Sequence, residues 1–189
     1  MNISQILTSR ELTVFKNNDP ELEVSIECGS DQSAFLYILL HESSHVIDFV
    51  KHITPLVEPG LEKFDHHLPK TTPFVQGTWI AYSQPVKTND FPFRKDITVY
   101  GFDNGPKINL SDAKELYTEL EQTGFASLYG SKTWAEDFAE YLAFYHLTQK
   151  MKLDYQITVS KNHEPILVYK PMTNPKVTSR FNQMQQFYK

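Results

Sequence analysis

The chain has 189 residues, a formal net charge of -5 at pH 7 without a long block of like charge, and 40% hydrophobic and 13% aromatic residues. That composition excludes a disordered or fibrous chain and suits one packed domain, residues 1–189. It offers no clustered Lys and Arg for a nucleic-acid partner and no run near the ~20 apolar residues of an integral membrane segment, and the single Cys28 excludes an internal disulfide and a thiolate zinc cage.

Met1 to Leu7 lacks the basic region and apolar core of a signal peptide. A secreted or periplasmic protein whose signal is absent from this sequence is set ahead of a cytoplasmic one. Residues 1–20 read as a polar lead-in ending in the turn signal Asn18-Asp19-Pro20. Glu21 to Cys28 alternates polar and apolar, as a half-buried strand does. Asp31 or Ser33 caps a helix expected from about Ser33 to Ile53. Residues 54–110 form an insert of uncertain role, of which 54–95 is rich in Pro, Thr and aromatics. Its expected strands are Gly77–Tyr82 and Ile97–Phe102. Trp79, Tyr82, Phe91 and Phe93 are read as packing residues rather than as a substrate groove. A helix over Ala113–Glu121, a longer one over about Thr133–Lys150, a hairpin from Tyr155 to Tyr169 and a terminal helix over about Val177–Tyr188 complete an α+β pattern.

The chemistry concentrates in His41-Glu42-Ser43-Ser44-His45. On a helix, residues four apart lie about 40° apart around the axis and ~6 Å along it. Two imidazoles so placed can converge on one ion at ~2.0–2.1 Å. Glu42, ~100° round from His41, reaches instead a water on the metal, whose proton it takes as the water attacks a carbonyl. The apolar flanks, Leu36 to Leu40 and Val46 to Phe49, point to a largely buried helix. Asp48 is a candidate acceptor for the free N–H of a ligand histidine.

A catalytic zinc needs a third protein ligand. The histidine of a metzincin would stand six residues after His45, where the chain has Lys51. The aspzincin aspartate would stand at Ala126. A glutamate on the second long helix remains, and Glu136 and Glu140 share one face of it.

His41-Glu-Ser-Ser-His45-Val-Ile-Asp48, then Tyr129-Gly130 and Glu136-Asp-Phe-Ala-Glu140, resembles the gluzincin group of the anthrax lethal factor catalytic domain and the Pro-Pro endopeptidases. The likeness covers about Tyr37–Phe49 and Ser127–Tyr145. It implies a zincin-like fold, one Zn2+ per chain on His41, His45 and Glu136, Tyr129 on the oxyanion, and Glu140 supporting a ligand histidine. The 90 residues between His45 and Glu136 exceed the gap expected of that group.

The function expected is therefore a zinc-dependent endopeptidase acting on a peptide or protein substrate. Its alternative is a zinc-binding module without peptidase activity, its cleft closed by the insert. An interaction protein with an accidental motif is the second rival. His66 and His67 in a Pro-bounded loop, His52 at a helix end, His146 and His163 are read as outside the site.

Overall fold

The computed structural model describes residues 1–57 and 72–188. Its first element replaces the expected polar lead-in: Ile3–Leu12 is a helix, α1. The Asn2 side chain accepts from the Gln5 N–H, and the Gln5 side chain from the Asn2 N–H, at 2.9 Å each. This reciprocal cap satisfies two amides at the helix start. Ile3, Leu7 and Arg10 point inward, so a cation lies on the apolar side of α1.

β1 (Phe15–Lys16) is followed by β2 (Leu22–Glu27), which buries Val24 and Ile26 as its alternation predicts. The Ser33 hydroxyl then caps α2 (Ala34–Lys51). His52 ends that helix in a left-handed conformation, φ 52°. The expectation of a largely buried α2 fails. Tyr37, His41, Ser44 and Asp48 face the protein, while Phe35, Ile38, Leu39, Val46, Phe49 and Val50 are exposed. Apolar sequence made the helix, but among the described residues its neighbours, α1 and the later helix α4 (Trp134–Tyr145), pack on one of its faces.

The described part of the insert contributes several large side chains to the core. Phe74, Val75, Trp79, Phe91, Ile97 and Val99 are buried, and the Trp79 indole N–H donates to Asp137 at 2.9 Å. β3 (Trp79–Ala81) and β4 (Gln84–Pro85) form an antiparallel pair where one strand is expected. No strand forms over 97–102. Tyr100 (φ 58°), Gly101 (φ 76°) and Asp103 (φ 57°) turn left-handed there and break the extended backbone. β5 (Ile108–Asn109) then pairs in parallel with β1.

α3 (Ala113–Glu121) matches its expected span. α4 is capped by the Thr133 hydroxyl, which accepts from the Glu136 N–H at 3.2 Å, and runs on into a π-helical turn over His146–Lys150. β6 (Gln156–Lys161) and β7 (Glu164–Tyr169) form the expected hairpin around Asn162 and His163, both with positive φ. They complete an antiparallel sheet in the order β2-β6-β7. The terminal helix is broken into α5 (Pro175–Thr178), α6 (Phe181–Met184) and a last 3-10 turn. At the break, Arg180 turns inward to Asp137 at 2.7 Å, over the rings of Phe74 and Tyr141. The architecture is mixed helix and sheet, α+β, with α2 and α4 side by side. Among the described residues no helix is long and apolar enough to cross a membrane.

Candidate metal centre

Three ligand atoms from two helices meet. His41 Nε2 and His45 Nε2 on α2 are 3.2 Å apart, and Glu136 Oε2 on α4 lies 3.3 Å from the first and 3.6 Å from the second. Two donors held 2.0–2.2 Å from one tetrahedral ion stand about 3.3–3.6 Å apart. The triangle therefore matches one face of such a tetrahedron. Among the described residues these three form the group able to hold a metal ion.

The chemistry of the donors agrees. Glu136 Oε2 is buried without a hydrogen bond of good geometry, and a cation between it and the two ring nitrogens would satisfy this orphaned oxygen. Burial opposes its charge, yet the two imidazoles hold Glu136 down to about 2. Burial likewise opposes charge on His41, but Glu136 and Glu140 push it up to about 9. The carboxylates that draw a proton onto His41 would draw a divalent cation in the same way.

Glu140, fully buried on α4, organises the surroundings. One oxygen meets His41 Nδ1 at 2.9 Å, and both accept from the Arg10 guanidinium, at 2.9 and 2.8 Å. The hydroxyls of Tyr37 and Ser127 also donate to it. A carboxylate only accepts, so Nδ1 of His41 carries a proton, and Nε2 is the nitrogen that a metal would take in place of its proton. Burial disfavours the Glu140 charge, but Arg10 and His41 keep the carboxyl well below its ordinary range. Ser127 accepts from the Gly130 N–H at 3.0 Å, which ties the turn bearing Tyr129 to the same carboxylate.

Tyr129 stacks on His41, ring centroids 5.7 Å apart at 13°, with the Arg10 guanidinium 5.2 Å from its ring. Burial and the neighbouring charge of Glu136 raise its phenol above the ordinary range, so it keeps its proton. Glu42 is exposed on α2, without a hydrogen bond to any described residue. Asp48 departs from expectation. Its two oxygens accept from the Thr54 N–H and hydroxyl at 2.6 and 2.7 Å, so it clamps the chain leaving α2 rather than supporting a histidine. His52 ends α2, His146 meets the Tyr188 hydroxyl at 3.0 Å, and His163 sits in the β6–β7 turn. His66 and His67 lie outside the described residues.

Arg10, Tyr37 and Ser127 escaped the sequence analysis. The signals for the first were the Asn2–Gln5 capping pair and a cation seven residues after Ile3 on an apolar face. Tyr37 is four before His41 and shares its side of the helix. Nothing in the sequence marks Ser127.

Glu11 competes with Glu140 for Arg10 and loses, 3.9 Å against 2.8 Å. Burial pushes its carboxyl up from 4.5 to about 7, with Arg10 only partly opposing. A carboxyl raised in the folded state favours folding while protonated. That contribution is complete below about 4.5 and is lost as the pH rises through about 7. Glu11→Gln removes this titration. Its stability relative to wild type is expected to rise by on the order of 3 kcal/mol between pH ~4.5 and ~8. Urea unfolding at the two pH values measures it, and a difference independent of pH would refute the assignment.

No protein-family model, curated protein or solved structure matches the chain.

Proposed function

We propose that the chain is a zinc-dependent endopeptidase of the glutamate-ligand HExxH type, on a zincin-like domain akin to the lethal factor and Pro-Pro endopeptidase group. The observation that carries this proposal is the triangle of His41, His45 and Glu136 with Glu42 exposed beside it. His41 and His45 would hold the ion by Nε2 and Glu136 by Oε2. Zinc bound there supplies Lewis acidity, lowering the pKa of a water toward 7 and polarising a carbonyl.

The rest falls to the chain's own side chains. Glu42 takes the proton of the attacking water and returns it to the leaving amine. Tyr129, protonated and anchored through Ser127 and Gly130, donates to the carbonyl oxygen as charge develops on it. Glu140 holds the His41 ring in the tautomer that leaves Nε2 free.

Protein purified without chelator is expected to carry about one zinc per chain. It should cut a mixed peptide library, lose that activity to a chelator and regain it with added zinc. Substantially less metal overturns the zinc assignment. Full metal without cleavage identifies a binding module instead. Tyr129→Phe is expected to lower kcat by about 10²–10³ and leave KM and zinc content nearly unchanged. Wild-type kcat in that variant would remove Tyr129 from the chemistry.

A further inference from the structure

Six residues on one side of α2 are large, apolar and exposed: Phe35, Ile38, Leu39, Val46, Phe49 and Val50. At 100° per residue they fall in a stripe about 120° wide, and Glu42 lies within it. A helix ordinarily turns such a stripe inward; no element among the described residues packs over this one, and an exposed apolar surface of this kind marks a binding site. Along its first half lies a cavity of about 320 Å3, where Ile6, Ile38, Tyr100 and Tyr129 join His41 and Glu42. Along its second half lies one of about 210 Å3, where Phe49, Leu56 and Trp134 join His45. The two cavities thus adjoin the ligand triangle from its His41 and His45 ends. Tyr100 is a fixed wall of the first, because its N–H donates to the Thr13 hydroxyl at 2.9 Å and holds the left-handed backbone in place.

The position of Glu42 decides what covers the stripe. A peptide whose carbonyl comes within reach of that carboxylate lies against the side chains one turn away on the same face, Ile38, Leu39 and Val46, and against Phe49 one turn further on. Charged groups pressed there would lose water without gaining a partner, whereas apolar groups are favoured. Ile38 and Phe49 stand about 16 Å apart along the helix, the span of about five residues of extended chain.

We infer that the stripe is covered by the substrate, an extended polypeptide segment with a large apolar side chain on each side of the bond that is cut. One side chain seats at Ile38 and Tyr100, the other at Phe49 and Leu56. The inference rests on the peptidase reading and specifies its substrate class.

The test separates recognition from cleavage. Short fluorescein-labelled peptides with Leu at both seats, or Asp at either one, are titrated by anisotropy into zinc-loaded Glu42→Gln protein. The Leu peptide is expected to bind about tenfold or more tighter than either Asp twin. Ile38→Asp in that background should erase discrimination at one seat, and Phe49→Asp at the other. In parallel, the wild type digests an unbiased peptide library, and the cut sites should carry large apolar residues on both sides. Cleavage without apolar preference overturns the inference and leaves the peptidase reading standing. Discrimination in binding without cleavage by wild type does the reverse. A dimer that Phe49→Asp makes monomeric, with no discrimination among peptides, assigns the stripe to a second copy of the chain and also overturns the inference.

Discussion

Glu42→Gln is expected to cut peptides about 10²–10⁴ times more slowly than wild type while keeping its zinc and its melting temperature. The three readouts diverge because of where the residue sits. Glu42 is exposed on α2 and makes no hydrogen bond to a described residue, so its loss costs the fold within about 0.5 kcal/mol. It is not one of the three ligand atoms that lie together, so metal content should hold. The missing carboxylate is felt only where a proton must be taken up. Equal cleavage by wild type and variant would remove Glu42 as the base, and a parallel loss of zinc would assign it to binding instead.

The second large effect is expected at Glu140. Its carboxylate gathers Arg10, Tyr37, Ser127 and His41 in a site closed to water. Glu140→Ala leaves the Arg10 guanidinium buried with, among the described residues, only Glu11, 3.9 Å away, as a counter-charge. Breaking a buried pair from one side costs about 3–5 kcal/mol, which lowers the melting temperature of a chain of this size by roughly 6–20 °C. The His41 ring also loses the acceptor that orients it, so zinc affinity is expected to fall about 10–100-fold. Thermal unfolding of the metal-free proteins isolates the first effect and competition with a chelator isolates the second. A metal-free variant as stable as wild type would show that Arg10 is satisfied without Glu140.

The comparison between Glu136 and Glu140 shows how far sequence periodicity carries. Four residues apart on one helix, they lie on the same face, and nothing in that spacing separates a metal ligand from its support. What separates them belongs to other elements. Arg10 on α1 and Ser127 before α4 claim Glu140, which leaves Glu136 to face the two Nε2 atoms. The two long helices, β2 and the β6–β7 hairpin were legible because strong periodicity and clear end signals coincide there. α1 was missed because its apolar positions are few and Arg10 interrupts them, although its cap was visible in Asn2 and Gln5. The strand expected at 97–102 failed because Ile, Val and Tyr favour extended backbone only where φ stays negative, and Tyr100 and Gly101 do not. The apolar residues around His41 and His45 predict burial, but composition alone does not show which sides of a helix have neighbours. Asp48 lies where a ligand histidine could use it, and the loop at Thr54 takes it instead.

The contact between Arg10 and Glu140 joins residues 130 positions apart, and the third candidate ligand follows the second histidine by 90 intervening residues. At 5–20 residues per second, a ribosome takes roughly 5–20 s to travel from His45 to Glu136. Throughout that interval the nascent chain carries the two histidines and Glu42 but neither the carboxylate that completes the candidate triangle nor the one that holds His41. A site assembled from such distant parts cannot form until Glu136 and Glu140 have been made, and unfolding takes it apart in the same way.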